Sequence, residues 1–310
     1  MKSIEELVRK SKKALVIGIG GGGDIVGAVP TSNYLNLLGV KTILGGLTWE
    51  RLPIDPQPGP RTFSEIINLE LISETTAFAN SKTRTKTGVR FAASRVAEFF
   101  NSKTILVDIN KGVQGVVKGL TETAEKLNLD LIIGVDVGGD SIARGTEVTL
   151  KSPLADSTMV SALAQLKVPS ILGVIGIGCD GELTIQELLD DIAHIIKLGG
   201  YIGARGLTTS DLVLLEKLVK KIPTEVSSMV VEAARGKTGI FKIRGGTRVA
   251  NLSPLAIITF YFNPKIIFEK HCLIAKRLAN TTSLEKANEI IVSLGLKTEL
   301  DFERERAGKF

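Results

Sequence analysis

Short apolar runs that end in glycine or an acidic residue recur along the first 180 residues of the chain. The runs are continuous rather than alternating, which is typical of parallel strands that helices cover on both faces. They predict five buried strands, at residues 14–20, 41–47, 103–109, 130–137 and 169–177. Because a helical pattern follows each strand, we expect the five strands to lie parallel in one sheet.

A serine or threonine followed three residues later by glutamate marks three helix starts, at residues 3–6, 184–187 and 282–285. In such a capping box the hydroxyl accepts a hydrogen bond from the first turn, and the glutamate reaches back to the cap. Apolar residues then recur on one face of each helix. Each helix is therefore expected to lie against the sheet.

Strand and helix alternate five times, which predicts an α/β fold: a doubly wound, mostly parallel Rossmann-like sheet with helices on both faces. The pattern changes after residue 235. Residues 239–244 and 247–252 flank Gly245-Gly246, and this spacing predicts a β-hairpin with a two-residue turn. We expect the hairpin to form a C-terminal antiparallel edge of the same sheet.

The chain is predicted to form a single α/β domain over residues 1–310. Its parallel core is expected in residues 1–235, and the hairpin, one more buried strand and further helices in residues 236–310. Residues 52–60 are rich in proline and are expected to form a stiff loop over a cleft. Residues 296–310 are highly charged and are interpreted as a tail.

The chain carries a net charge of +6, from 39 basic and 33 acidic residues. This balance favours an anionic partner, and a phosphorylated small molecule fits it as well as RNA does. The basic residues are dispersed and are not interleaved with aromatic residues, which argues against a nucleic-acid-binding module. We therefore expect a small-molecule partner.

No uncharged run is longer than residues 249–264, which are too few and too polar to span a bilayer. No membrane association is therefore expected. The two cysteines, Cys179 and Cys272, have no metal-binding spacing, and so few thiols in a long chain indicate a reducing compartment. These observations predict a cytoplasmic protein.

A glycine-rich loop directly follows the first predicted strand. Gly18, Gly20 and Gly23 have the G-x-G-x-x-G spacing between a strand and a helix. Glycines let backbone N–H groups approach an anion closely at the positive end of a helix. The loop is therefore predicted to bind the phosphate of a nucleotide or another phosphorylated metabolite, through Gly20, Gly21, Gly22, Gly23 and Asp24.

Two features of this loop disagree with a standard nicotinamide site. The acidic residue that such a site has at the end of the second strand is missing, and the next acidic residue, Glu50, lies beyond that strand. Asp24 would also repel a diphosphate by roughly 4 kcal/mol at 4 Å unless a cation lay between them. An NAD(P)-dependent oxidoreductase with Glu50 at the ribose stays an alternative, and so does a tight turn with Asp24 as a helix N-cap.

Acidic residues lie at or just after the ends of the third, fourth and fifth strands: Asp108, the pair Asp136 and Asp140, and Asp180. The carboxyl ends of parallel strands meet at one edge of the sheet, where ligands bind. Carboxylate oxygens suit Mg²⁺, so Asp136 and Asp140 are predicted to bind Mg²⁺. Contacts of this pair with a ribose or with helix N-termini are the alternatives.

The residues around these acids complete a hypothesis for the chemistry. Gly138 and Gly139 allow a sharp turn between Asp136 and Asp140 and are predicted to lie next to the phosphate. Asp108 or Asp180 is expected to orient an attacking oxygen. Lys111 or Arg144 is expected to offset developing charge.

This set predicts phosphoryl transfer or phosphate-ester hydrolysis. A non-catalytic ligand-binding or assembly protein, forming a homo-oligomer through the hairpin, is the other alternative.

Four further residues are not expected to take part in the chemistry. His194 falls opposite an apolar stripe and is expected to face solvent, whereas His271 is expected to pack at the edge of the core. Cys179 has no evident histidine to activate it as a nucleophile. Asp156 lies in the first turn of a predicted helix and is interpreted as a helix-dipole residue.

Four motifs together resemble one known family. They are Gly-Gly-Gly-Gly-Asp at 20–24, Val-Asp-Val-Gly-Gly-Asp at 135–140, Gly-Thr-Glu at 145–147 and Ser-Pro-Leu-Ala-Asp at 152–156. The combination resembles an archaeal family known as domain of unknown function 1152, over most of the chain. The resemblance implies an archaeal source; it brings no established activity and transfers no catalytic residue.

Overall fold

A computed structural model describes residues 3–147 and 149–307 of the chain. Within these residues the strands are β1 (Lys13–Gly18), β2 (Lys41–Leu47), β3 (Ile66–Ile67), β4 (Glu70–Leu71), β5 (Thr76–Ala79), β6 (Arg84–Thr85), β7 (Thr104–Val107), β8 (Leu131–Val137), β9 (Ser170–Ile175), β10 (Tyr201–Gly206), β11 (Gly239–Ile243), β12 (Arg248–Leu252) and β13 (Ile258–Phe262). The α-helices of the same residues are α1 (Ile4–Val8), α2 (Asp24–Leu37), α3 (Ala92–Phe99), α4 (Gly112–Leu127), α5 (Pro153–Gln165), α6 (Ile185–Lys197), α7 (Thr209–Val219), α8 (Glu225–Ala234), α9 (Pro264–Lys270), α10 (Leu273–Leu278), α11 (Leu284–Ser293) and α12 (Glu299–Ala307).

The main sheet has nine strands in the order β10-β13-β9-β8-β1-β2-β7-β5-β4. Its centre is the parallel run β9-β8-β1-β2-β7, so all five strands predicted from the apolar runs are confirmed. The chain moves outward from β1 to β7 and then returns to β8 on the other side of β1. The strand order therefore reverses between β1 and β8, where open α/β sheets bind ligands.

Successive residues of β1 pack into different hydrophobic clusters. Ala14 and Val16 belong to one buried cluster, and Leu15 and Ile17 to another. Side chains alternate between the two faces of a strand, so apolar packing covers both faces of the sheet. This arrangement explains why the strand sequences are continuously apolar, and it confirms the doubly wound fold.

The hairpin does not extend the main sheet, which corrects the prediction. Strands β11 and β12 pair with each other as a separate two-stranded sheet. The later strand β13 takes the antiparallel position beside β9 instead, with β10 outside it. The turn also differs, because Ile243 pairs with Arg248 and leaves four residues between the strands. Arg244 adopts a positive φ of 54° in this turn.

The helix boundaries agree with the sequence in two cases and differ in two. Capping boxes begin α1 at Ser3 and α6 at Thr184, as predicted. Helix α11 is capped by Ser283, one residue after the predicted cap. The predicted C-terminal tail contains the helix α12, in which Leu300 is buried. This correction matters because α12 packs against the candidate site.

Among the described residues, no helix combines the length and the apolar character that crossing a membrane requires. The two cysteines are unpaired and buried.

Candidate functional site

A cleft of about 830 Å³ opens at the carboxyl ends of β1, β8 and β9. The glycine loop and the strand-end acids form its floor. The four-residue turn of the hairpin lies on one side, and Phe302 and Glu303 of α12 lie on another. The hairpin is held there because Asn251 N donates to the oxygen of Gly178, in the loop after β9 (2.9 Å). The C-terminal residues therefore complete a site that the N-terminal half begins.

Carboxylates approach the glycine loop from both sides. A Cβ at Gly20 would lie 2.7 Å from Asp24 Oδ2 and 3.0 Å from both carboxylate oxygens of Asp156. A Cβ at Gly22 would lie 2.2 Å from Glu50 Oε1. These positions have to be glycine because the acidic side chains occupy the space of a Cβ. The amide of Gly20 donates to Asp24 Oδ2 (2.9 Å), so it is already paired.

The first acidic triad consists of Asp24, Asp136 and Asp156, and one oxygen of each lies within 4.8 Å of the others. Asp136 Oδ2 accepts hydrogen bonds from Gly139 N (3.1 Å) and from the amide and hydroxyl of Ser141 (3.2 and 2.7 Å). These bonds hold the carboxylate in place. Asp156 is 1 % exposed, and its Oδ1 has no hydrogen-bond partner. A buried polar atom of this kind is costly unless something binds it.

The second acidic triad consists of Asp140, Asp180 and Glu182. Asp180 Oδ1 accepts from Glu182 N (3.1 Å), whereas Asp180 Oδ2 is buried without a partner. A Cβ at Gly138 would lie 2.5 Å from that Oδ2. The predicted pair Asp136 and Asp140 is therefore divided between two triads. Gly138 makes room for Asp180, and Gly139 donates to Asp136.

Burial and mutual repulsion raise the pKa of these carboxyl groups. Burial, and then the charge of Asp24, raises the pKa of Asp136 to about 8. Burial, and then the charge of Glu182, raises the pKa of Asp180 to about 7. The pKa of Asp156 is raised well above its usual value by burial and by Asp136. Such a cluster keeps protons at neutral pH or binds a cation in their place.

Arginine side chains lie beside the two triads. Arg51 stacks over Trp49 (4.5 Å to the ring centroid), donates to the oxygen of Gly20 and pairs with Glu299 (3.5 Å). Arg244 and Arg248 come from the hairpin. The pKa of Arg244 is lowered by burial and then by the charges of Arg248 and Arg51. The three guanidinium groups therefore repel one another, and an anion among them would remove that repulsion.

Residues 15–307 match the model of a family described as protein of unknown function, DUF1152. The chain belongs to the DUF1152 family. This membership confirms the resemblance seen in the four motifs, whereas the archaeal source stays a prediction. No curated protein and no solved structure matches the DUF1152 chain.

Three predicted catalytic residues of the DUF1152 chain do not line the cleft. Asp108 accepts hydrogen bonds at Oδ1 from Asn110 N and Nδ2 (2.8 and 2.7 Å). Lys111 pairs with Glu74 at the surface. The strand before them, β7, lies three strands from β8, which is about 14 Å at the usual strand spacing. Ending at the same edge of a sheet is therefore not enough to bring side chains together.

The third of these residues, Arg144, is held by a different element. Its Nε donates to Asp191 Oδ1 on α6 (2.7 Å), and 41 % of its side chain is exposed. The chain turns away from the cleft after Asp140 and carries Arg144 with it. Arg51 and the hairpin residues Arg244 and Arg248 line the cleft instead.

His194, His271 and Cys179 also have defined places in the structure. His194 does not simply face solvent: its Nδ1 lies 2.8 Å from His271 Nδ1. His271 Nε2 bonds to the oxygen of Ile142 (2.7 Å), and burial lowers the pKa of this histidine to about 4. The pair links α6 to the residues before α10. Cys179 is buried, and burial raises the pKa of its thiol, which disfavours a reactive thiolate.

The sequence interpretation missed Asp156, Glu182, Glu299 and Glu303 as site residues. One signal could have identified Asp156, because residues 153–164 contain no other charged side chain. A helix without a polar face is buried on all sides, so its single acid has to be buried too. Glu299 and Glu303 carried no such signal, since neighbouring residues of the same helix are charged and exposed.

Helix α12 supports the wall of the cleft through Glu303. Its Oε2 accepts hydrogen bonds from Trp49 Nε1 and from Gly59 N, each at 2.9 Å. Glu303→Ala is expected to lower the free energy of unfolding by about 2–4 kcal/mol, because two buried donors lose their acceptor. Equilibrium denaturation followed by the fluorescence of Trp49, the single tryptophan, measures the change.

The control for this variant is Glu305→Ala, which removes an exposed carboxylate of the same helix. Its cost is expected to stay below about 1 kcal/mol. Equal losses in the two variants would show that Glu303 does not anchor α12.

Proposed function

We propose that this protein binds a phosphorylated small molecule, such as a nucleotide, together with Mg²⁺ in the cleft. We further propose that it catalyses phosphoryl transfer or phosphate-ester hydrolysis. The observation that carries the proposal is the unpartnered, buried Oδ1 of Asp156 in an acidic triad that lies in one cleft with Arg51, Arg244 and Arg248.

The first triad is the candidate cation site. Asp136 uses Oδ2 for its hydrogen bonds with the turn, which leaves Oδ1 for a ligand. Asp24 and Asp156 each add a carboxylate oxygen, and one oxygen from each of the three residues lies within 4.8 Å of the others. Mg²⁺ takes carboxylate oxygens together with water and with phosphate. A cation here would offset the repulsion among the three carboxylates, and it would lie between Asp24 and a phosphate.

The arginines are the candidate phosphate-binding residues. Arg51 Nη1 and Arg244 Nε are buried without a hydrogen-bond partner. Guanidinium groups bind phosphate oxygens through charge-assisted hydrogen bonds. The cleft volume of about 830 Å³ also falls in the usual range of small-molecule sites. These residues replace Lys111 and Arg144 as the groups that would offset developing charge.

One acidic residue remains for the attacking oxygen. Of the two carboxylates predicted for this role, Asp180 lines the cleft and Asp108 does not. Asp180 has a free Oδ2 and a pKa raised by burial to about 7. A group that gains and loses protons near neutral pH suits the transfer of a proton.

The oxidoreductase alternative needs Glu50 at the ribose of a dinucleotide. Glu50 Oε1 instead accepts a hydrogen bond from Ala92 N (2.6 Å), and the side chain packs against Gly22. This arrangement supports the phosphoryl-transfer proposal over the oxidoreductase. A purely ligand-binding protein is compatible with the same contacts, so turnover has to be measured.

Thermal unfolding in the presence of nucleotides and sugar phosphates, with and without Mg²⁺, tests the proposal. At least one phosphorylated compound is expected to raise the Tm by several degrees with Mg²⁺, because ligands stabilise the state that they bind. EDTA is expected to abolish the shift. Release of inorganic phosphate from that compound then measures turnover.

Two arginine variants make the test specific. Arg244→Ala is expected to weaken binding of that compound at least tenfold. Arg235→Ala, which removes a surface arginine paired with Glu216, is expected to leave binding unchanged. Tight NADH binding that is indifferent to EDTA would favour the oxidoreductase, and stabilisation without turnover over hours would indicate a ligand-binding protein.

A further inference from the structure

The second triad has the same construction as the first. Glu182 Oε2 accepts from the amides of Lys151 (2.7 Å) and Ser152 (2.9 Å), and Asp180 Oδ1 accepts from Glu182 N (3.1 Å). In each of these two carboxylates, backbone amides donate to one oxygen and thereby fix the position of the second oxygen. Proteins orient metal ligands in this way.

An independent observation points to a ligand at this triad. Asp180 is 5 % exposed, it lines the cleft, and its Oδ2 has no hydrogen-bond partner. Gly138 makes room for this carboxylate, because its missing Cβ would lie 2.5 Å from Oδ2 and 2.6 Å from Cγ of Asp180. Asp180 Oδ2 is thus buried and unpaired in a triad whose three carboxylates each have an oxygen within 4.8 Å of the others.

We propose that Asp140, Asp180 and Glu182 form a second divalent-cation site, so that the cleft holds a two-metal centre. The inference rests on the proposed function and deepens it, because two adjacent cations in a cleft lined by arginines favour a phosphate ester or anhydride as substrate. Two-metal sites stabilise both the attacking and the leaving oxygen of a phosphoryl group. In a two-metal centre Asp180 would hold the second cation, and that cation would position the attacking water in place of a direct contact with Asp180.

The two triads belong to one electrostatic unit. Burial, and then the charges of Asp156 in the first triad and Glu182 in the second, raises the pKa of Asp140 well above its usual value. A single cation in one triad leaves the negative charge of the other triad uncompensated. Two cations add four positive charges to six carboxylates, which leaves the acidic floor at −2 beside the arginines and able to accept an anionic substrate.

Arg248 links the second cation to the substrate. Its Nη1 donates to Glu182 Oε1, as the hydroxyl of Ser152 also does. A cation at Glu182 competes with this arginine and releases it. Arg248 is carried by the hairpin beside the cleft, so its free guanidinium can bind a phosphate. Cation binding at the second triad is therefore expected to precede tight binding of the substrate.

Binding of Mn²⁺ to the full-length protein, followed by electron paramagnetic resonance, tests the inference without any substrate. The wild-type protein is expected to bind two Mn²⁺ per chain and to show a signal broadened by coupling of the two ions. Asp180→Asn is expected to bind one Mn²⁺ with an uncoupled signal. Asp190→Asn, an exposed acid of α6, serves as the matched control and is expected to bind two.

The remaining outcomes separate the two proposals. One Mn²⁺ in the wild type that survives Asp180→Asn and is lost in Asp156→Asn would overturn the second site and leave the proposed function standing. Absence of Mn²⁺ binding in the folded wild-type protein would overturn both. Circular dichroism of each variant shows whether it is folded, and the wild-type stoichiometry decides the inference even if a variant does not fold.

Discussion

Raising the pH from about 6 to about 8.5 in EDTA is expected to lower the free energy of unfolding by several kcal/mol, and Mg²⁺ is expected to restore it. The folded-state pKa is raised to about 7 for Asp180 and to about 8 for Asp136, from an ordinary value of 3.8. In this range the folded state keeps protons that the unfolded state has already lost. Stability therefore falls as pH rises through the folded-state pKa values.

The size of the effect follows from the number of protons retained. Each retained proton changes stability by about 1.4 kcal/mol per pH unit. His271 gives a slope of opposite sign, because burial lowers its pKa to about 4 from 6.5. Its contribution is complete once the pH is above its unfolded-state pKa, so the chosen range mainly reports the carboxylates. A divalent cation removes their repulsion at high pH.

Chemical denaturation at several pH values measures how the free energy of unfolding depends on pH. Two variants show which carboxyl groups cause the dependence. Asp156→Asn removes one charge from the first triad, so it is expected to raise the stability of the metal-free protein at pH 8 and to flatten the profile. Asp190→Asn is expected to change neither the stability at pH 8 nor the dependence of stability on pH. A wild-type profile that is flat in EDTA would contradict the assignment of protons to the triads.

Arg51→Met is expected to destabilise the metal-free protein by about 3–5 kcal/mol at neutral pH, because buried carboxylates lose their counterion. Arg51 pairs with Glu299 (3.5 Å) and lies 3.9 Å from Glu303. The carboxylates of Glu299 also accept from the amides of Leu154 and Ala155 at the start of α5. Arg51 thus neutralises the carboxylate of Glu299, which connects α12 to the start of α5, and it also contacts the glycine loop through the oxygen of Gly20.

Two measurements show whether charge is the cause. Arg306→Met removes an exposed arginine of α12 at the same cleft and is expected to cost less than about 1 kcal/mol. Mg²⁺ is expected to recover part of the stability lost in Arg51→Met, since the cation neutralises neighbouring carboxylates. A loss that equals that of Arg306→Met would show that Arg51 is not the main counterion.

The glycine loop lies against carboxylates, which its spacing did not predict. The prediction was a bare backbone that binds phosphate, whereas Gly20 and Gly22 lie against Asp24, Asp156 and Glu50. The G-x-G-x-x-G spacing identifies a place where atoms approach the backbone closely. It does not identify which atoms they are, because a carboxylate oxygen and a phosphate oxygen have similar sizes.

The sequence by itself determined the elements whose cause is local. The continuous apolar runs placed all five parallel strands, since a strand covered on both faces has no polar side. The hydroxyl and glutamate of Ser3 and Glu6 set the start of α1 through bonds within one turn. The acids at 136, 140 and 180 were found because strand ends are recognisable from the chain alone.

The tertiary structure decided which of these residues meet. Asp108 follows β7 and Asp136 lies near the end of β8, but β1 and β2 separate those strands, so only Asp136 reaches the cleft. Asp156, Arg51 and Glu299 come together from three distant parts of the chain. The hairpin is left to line the cleft because β13, and not the hairpin, pairs with β9. Helix α12 completes the lining. Local hydrogen bonds and apolar periodicity act over a few residues, whereas strand order and burial depend on packing across the whole chain.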